Sequence, residues 1–216
     1  IRGAPAGIKG ISLFVVPKFR PDARGNLVDN DVTITQIFHK LGYRGAPIAG
    51  IRLGEKDNCM GYLVGQEHKG LFYMFQMMNG ARLEVGMGAT AIATAAYHAA
   101  LDHCRDRKQG RKMTDKKDAP QVPIIQHTDV KRMLLFQRAV SEGALSLILQ
   151  CGIWEDILHQ TPDRKDLHLL LELLTPIAKS YPSEAGIHST SLSLQCFGGY
   201  GYCEDYPVEQ HFRDMR

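Results

Sequence analysis

The spacing of apolar and polar positions changes character near residue 71. Before that point the apolar runs are short and rich in β-branched and aromatic residues, which predicts strands. One lies at residues 11–16 (Ile-Ser-Leu-Phe-Val-Val) and is ended by Pro17. A second is read at residues 32–35, where Val32 and Ile34 alternate with Thr33 and Thr35, and others at residues 49–53 and 61–64. Between the first two, Pro21, Asp22, Gly25 and Asn26 supply turn chemistry. Residues 1–70 therefore read as a β-segment, the end of a larger sheet or barrel.

From Leu71 onward the period is that of a helix. Leu71, Met74, Phe75, Met78, Leu83, Val85, Ala89, Ile92, Ala93, Ala96, Ala99 and Ala100 recur at three- and four-residue steps as far as Arg107. So much alanine on one helix predicts close helix contacts. Residues 108–121 carry Gly110 and Pro120 without apolar periodicity and are expected to form a loop. A second helix is predicted over residues 127–158, with Val130, Met133, Leu134, Ala139, Leu145, Ile148 and Leu149 on its apolar face and Thr128 or Asp129 as its cap. Thr161, Pro162 and Asp163 break the chain, and a third helix is expected over residues 165–194, bent at Pro176 or Pro182. A short helix starts near Pro207. Long helices joined by loops in this order predict an antiparallel bundle, so the fold class is α+β, mainly α.

Composition narrows the picture only slightly. The 216 residues are 44% hydrophobic and 23% charged, ordinary values for a globular chain. A net charge of +3 with no long basic run gives no sign of nucleic-acid binding. No apolar run is long enough to cross a bilayer. The five cysteines are odd in number and dispersed, so neither a disulfide framework nor a zinc knuckle is suggested, and a reducing cytoplasm is the simplest setting. With no initiator methionine, and with ends that read as mid-domain, the chain is expected to be part of a longer polypeptide.

The densest local signal is Gln195-Cys196-Phe197-Gly198-Gly199-Tyr200-Gly201-Tyr202, running into Glu204-Asp205-Tyr206-Pro207-Val208-Glu209 and then Arg213-Asp214. Glycines crowded among aromatics predict a tight turn between two regular elements. Such a turn serves either as a helix C-cap or as bare backbone against which a phosphate-bearing ligand rests. Arg107, Lys108 and Gln109 close the first helix, where basic side chains complement the negative helix end; a guanidinium there also suits a pyrophosphate. Two other patterns are set aside. Gly86-Met87-Gly88-Ala89-Thr90-Ala91 matches Gly-x-Gly-x-x-Ala but lies inside a helical period, which indicates helix packing and not a dinucleotide loop. His98, His103 and Cys104 lack metal-ligand spacing.

The glycine segment with Glu-x-Tyr-Pro-Val-Glu and Arg-Asp resembles the C-terminal signature of the FAD-dependent acyl-CoA dehydrogenases. Asn79-Gly80-Ala81-Arg82-Leu83-Glu84-Val85-Gly86, followed by the alanine-rich helix and Arg105-Asp106-Arg107-Lys108-Gln109, is similar to that family's first long C-terminal helix. The likeness spans essentially the whole chain and is greatest to the larger bacterial branch, which includes fatty acyl-CoA and 3-methylmercaptopropionyl-CoA dehydrogenases. It implies that residues 1–70 end the middle β-domain and that residues 71–216 belong to the helical bundle domain. It also implies that FAD is the cofactor and that an acyl-CoA is oxidised to a trans-2-enoyl-CoA, with electrons passing to an electron-transfer flavoprotein. A homodimer or dimer of dimers in the bacterial cytoplasm is implied in turn, with FAD shared across an interface.

By the same resemblance Gln195, Cys196, Phe197, Gly198 and Gly199 contact the cofactor, Arg107 and Lys108 meet its pyrophosphate, and Gln109, His127 and Thr128 are further contacts. Gln109 stands where the family often has Thr or Ser, and Thr128 where many relatives have glutamine. Arg82 is expected near the substrate. The catalytic carboxylate of most relatives lies beyond the position of Arg216, and the minority position immediately before Arg82 is Ala81, so no catalytic residue and no metal ligand is assigned. An acyl-CoA oxidase, or a non-catalytic helical interaction module that keeps the fold, are the competing readings.

Overall fold

The computed structural model describes residues 1–216, the side chain of Gln76 excepted. Two compact units divide the chain, Ile1–Gly80 and Ala81–Arg216.

In the first unit the strands pair two by two. β1 (Leu13–Val15) lies antiparallel to β6 (Tyr62–Val64), β2 (Phe19–Pro21) to β3 (Leu27–Asp29), and β4 (Val32–Phe38) to β5 (Ile48–Leu53). Among the described residues they form separate pairs and not one larger sheet. β1 is shorter than the apolar run because Ile11 gives its carbonyl to the Gly70 N–H (2.9 Å) and Ser12 its hydroxyl oxygen to the His68 N–H (2.9 Å). β4 is longer than its alternation, which fails at Thr35: the register shifts between Ile34 and Gln36, and a bulge resets which face each side chain takes.

β2 and β3 flank the predicted turn. Asp22 Oδ1 accepts the Arg24 and Asn26 N–H groups at 2.8 and 2.9 Å, and Gly25 has φ +82°. A buried polar knot joins the pairs. Asn30 Nδ2 donates to the carbonyls of Pro17 and Met60, and Asn30 Oδ1 accepts the Met60 N–H. Asp31, at φ +56°, accepts the N–H groups of Lys56 and Asn58.

The helices are α1 (Gly70–Asp106), which runs across the division between the units, α2 (Thr128–Gln160), α3 (Lys165–Phe197) and α4 (Val208–Met215). Small residues bring α1 and α3 together. Ala89, Ala93, Ala96 and Ala100 are buried, and Ser193 Oγ donates to the Ala96 carbonyl at 2.9 Å. A Cβ built on Gly86 would stand 2.2 Å from the Ala178 carbonyl oxygen. The helix–helix contact expected from the alanines is therefore present.

On α2 the buried face includes Met133, Leu134 and Ile148 as expected, but Ala139, Leu145 and Leu149 are exposed. The face passes instead through Gln137, Val140, Ser141, Ala144 and Cys151. Ser141 is accommodated because its hydroxyl donates to the Gln137 carbonyl at 2.9 Å. On α1, Phe75 and Val85 are likewise exposed, not core. Neither Thr128 nor Asp129 caps α2. The cap position is His127 with extended backbone and no side-chain cap bond, while Asp129 pairs with Arg132 at 2.7 Å. α3 is one helix through both Pro176 and Pro182 and ends three residues later than expected, at Phe197.

Candidate functional site

A cleft of about 800 Å³ opens in the second unit where the end of α1, the start of α2 and the end of α3 meet. Its walls follow from local folding. After α1 the chain becomes extended: the Ile124 N–H donates to the Arg107 carbonyl (2.8 Å), the Gln109 N–H to Val122 (3.0 Å) and the Val122 N–H to Gly110 (3.1 Å). This ladder closes the 110–122 loop and brings residues 107–110 alongside a short 3-10 turn, Ile124–Gln126, that leads into α2. His127 Nε2–H then donates to the Gln109 carbonyl at 2.7 Å, fixing the start of α2 to the end of α1.

The opposite wall is the glycine turn. α3 stops at Gly198, whose φ +60° and ψ −135° a side chain would resist and whose N–H is spent on the Gln195 carbonyl. Residues Gly198–Tyr202 make a 3-10 turn. Gly201 is buried, and a Cβ there would come within 2.5 Å of the Leu194 carbonyl oxygen. Gly199 differs from both. Its φ is not left-handed and a Cβ on it would meet nothing within 4 Å.

An aromatic stack supports this wall. The His103 ring lies 4.1 Å from the Phe197 ring at 15°, Phe197 meets Tyr206 edge-on at 5.6 Å, and Tyr206 meets Tyr200 at 5.3 Å. The Arg107 guanidinium lies 5.9 Å from the Tyr200 ring centre. Arg105 is paired with Asp102 at 3.6 Å, whereas among the described residues no carboxylate forms an ion pair with Arg107.

The structure brings Arg107, Gln109, His127, Gln195, Cys196, Phe197, Gly198 and Gly199 around this one cleft. Lys108 and Thr128 do not line it. Lys108 sits in extended chain between Arg107 and Gln109, where successive side chains point to opposite sides. Thr128 follows the residue whose ring closes the ladder and is exposed. Arg82 is half-buried on α1, roughly 37 Å along the helix from Arg107 at 1.5 Å per residue. Also on the cleft, and not among the residues singled out from the sequence, are His103, Ile124, Val130, Met133, Tyr200 and Cys203. His103 had a signal: it is four residues before Arg107 and so on the same helix face. The described residues hold no group of three or more potential metal ligands, and none of their helices is long and apolar enough to cross a membrane.

Burial holds the His103 pKa below its ordinary 6.5, and the nearby Arg107 charge lowers it further. His211 is lowered by burial as well. Between the folded and unfolded pKa the unfolded chain binds more protons, so acidification through and below about pH 6.5 removes stability. The urea midpoint is expected to fall on acidification in that range. A His103→Phe variant, which keeps an aromatic ring against Phe197, should show a shallower fall, with the His211 contribution left.

Over residues 68–216 the chain matches the family described as acyl-CoA dehydrogenase, C-terminal domain, and it belongs to that family. Along its length it is 43% identical over 216 residues to the 3-methylmercaptopropionyl-CoA dehydrogenase of Ruegeria pomeroyi, covering 99% of this chain and 36% of that protein. It is 39% identical over 222 residues to a butyryl-CoA dehydrogenase of Syntrophomonas wolfei, with the same 99% and 36% coverage. The chain thus spans about a third of the length of these relatives. Among solved structures its fold is similar to the apo-form of Bd2924 (TM-score 0.83, 24% identity, 99% of this chain and 39% of that one). It is also similar to butyryl-CoA dehydrogenase from Megasphaera elsdenii (TM-score 0.73, 21% identity, 97% and 47%). The mainly helical α+β class and the family resemblance both hold.

Proposed function

We propose that this chain forms part of an enzyme that dehydrogenates an acyl-CoA to a trans-2-enoyl-CoA, and that the cleft receives the ADP portion of FAD. Gly199 is the observation that carries the reading. Gly198 is required by its φ and Gly201 by the Leu194 backbone, but among the described residues nothing lies within 4 Å of a Cβ at 199. A bare backbone facing open space is what close approach of a flat, phosphate-bearing ligand needs. Relatives named as acyl-CoA dehydrogenases support an acyl-CoA as the substrate, and the resemblance of the glycine segment to the FAD-dependent family supports FAD as that ligand.

When bound, FAD supplies the two-electron acceptor for the oxidation. The chain's own residues bind and orient. Arg107, which forms no ion pair among the described residues, offers its fork of N–H donors to the pyrophosphate. The His103–Phe197 stack supports the wall behind Cys196 and Gly198. Gln195 and Gln109 supply polar atoms at the rim. Gly198 acts by shape, since its N–H is already used. Lys108 and Thr128 have at most supporting roles from outside the cleft, and Arg82 belongs with the substrate. Glu84 is exposed and stands two residues from Arg82 on a different helix face, so the proton-abstracting carboxylate is assigned to no residue of this chain.

In this reading residues 1–70 end the middle β-domain and residues 71–216 belong to the bundle domain. The cofactor is shared with a second copy in a homodimer or dimer of dimers, an electron-transfer flavoprotein takes the electrons, and the setting is the bacterial cytoplasm. Anaerobic addition of saturated acyl-CoAs to the flavin-loaded enzyme should bleach the flavin; no bleaching with any of them would overturn the reading. Arg107→Gln should weaken FAD binding about ten- to a hundredfold by the usual value of a charge-assisted hydrogen bond. Flavin titration with each protein checks this, and equal affinities would remove Arg107 from the site.

A further inference from the structure

Three side chains able to carry positive charge border the cleft, and among the described residues no carboxylate does. Arg107 and His127 are two of them. The third is His103, one helical turn before Arg107 at the end of α1. Its ring packs nearly flat on Phe197, with 4.1 Å between centres and 15° between planes. The stack covers one face and fixes the orientation, while the ring edge, which carries both nitrogens, stays clear of it. Among the described residues neither nitrogen has a hydrogen-bond partner, and neither is sealed from the cleft. The charges beside it do not claim it either. Asp102 pairs with Arg105 at 3.6 Å, and Asp106 and Arg107 act on the ring with opposite sign. α3 and the glycine turn present Cys196, Tyr200 and Cys203 to the cleft, and the chain entering α2 presents His127. None of these is a carboxylate.

We propose that His103 is a second ligand of the cofactor's phosphates beside Arg107 and holds them as imidazolium, so that FAD enters the cleft with uptake of a proton. The proposal rests on the reading of the cleft as a flavin site. In the empty cleft, burial and the Arg107 charge favour the neutral ring, and Asp106 opposes them only in part. A pyrophosphate diester keeps its two negative charges throughout the neutral range. It offsets the Arg107 field and accepts a charge-assisted hydrogen bond from the imidazolium N–H, which together favour the protonated ring. The proton comes from solvent. A group that binds its proton more tightly in the complex than in the free protein strengthens ligand binding as pH falls. A histidine at this position thus gives the cleft a second cation when the anion is present. A lysine or arginine there would repel Arg107 whenever the cleft is empty.

The test is titration of the flavin-stripped full-length protein with FAD at pH 8 and at pH 6, together with calorimetry at pH 7 in two buffers of different ionisation enthalpy. The affinity of the native protein should rise about five- to tenfold from the higher pH to the lower. The heat of binding should differ between the buffers in the sense of proton uptake. His103→Phe keeps an aromatic ring against Phe197, and His103→Gln keeps an N–H donor that cannot be charged. Both variants should bind FAD with nearly the same affinity at the two pH values. Equal affinities of the native protein at both pH values, with no dependence on buffer, would overturn the role of His103 and leave the flavin reading standing. A pH dependence that survives unaltered in either variant would do the same, because the proton would then sit on another group such as His127. A native protein that binds no FAD at either pH would overturn the flavin reading and this proposal with it.

Discussion

Gly86→Ala is expected to destabilise the helical unit by about 3 kcal/mol, the upper part of the range for forcing extra volume into a packed core. The cause is a backbone contact. Pro182 has no N–H, so the carbonyl four residues earlier on α3, that of Ala178, lacks its helical donor. Gly86 packs its Cα against this oxygen, where Cα–H groups give weak compensation. A methyl group there would stand 2.2 Å from the oxygen. No rotamer relieves such a clash, so α1 must move away from α3 and open the alanine interface.

Gly143→Ala on α2 makes the control. A Cβ at that position would lie 3.9 Å from the Tyr181 hydroxyl, an ordinary contact, and removing a mid-helix glycine should stabilise by about 0.5–1 kcal/mol. Urea unfolding of the two variants should therefore move the midpoint in opposite directions. Movement in the same direction would mean that helix propensity outweighs the close approach at Gly86.

The helices were legible because alanine and leucine repeat at helical spacing for many turns, and because Gly, Pro and Thr mark their ends. What the pattern concealed is polar. Gln137 and Ser141 occupy the buried face of α2, each bonded to a carbonyl one turn back, so an inspection of apolar residues alone rotates that face toward Leu145 and Leu149. The bulge at Thr35 hid the second half of β4 for a related reason, since it breaks a two-residue period without breaking the strand. At the cleft, Arg107 and Gln109 fall on one side of an extended segment and Lys108 on the other, an alternation that a motif read as consecutive residues does not contain. Only the family resemblance singles out His127, and its bond to the Gln109 carbonyl depends on the ladder formed by residues 107–110 and 122–124, which brings together positions that sequence spacing does not connect.

The three glycines of the turn separate stability from binding. Gly201→Ala should cost stability, because its Cβ would lie 2.5 Å from the Leu194 carbonyl oxygen and within 3.2 Å of the Leu194 carbonyl carbon, and neither backbone atom can swing aside. Gly199→Val should leave the urea midpoint almost unchanged, since its Cβ meets nothing within 4 Å and its φ is compatible with a side chain. If the cleft receives FAD as proposed, however, that isopropyl group projects into the open space beside the main chain that the cofactor would occupy. Displacing a ligand from backbone contact and burying its phosphates without donors costs about 3 kcal/mol or more, a loss of roughly a hundredfold or greater in FAD affinity. Titrating FAD against both variants alongside their unfolding curves distinguishes the roles. Unchanged affinity with Val at 199 would mean that the open face of the turn meets solvent and that the cleft takes its ligand elsewhere. A loss of affinity at 199 without a loss of stability is the result expected if this glycine is retained for contact with a ligand and not for the fold.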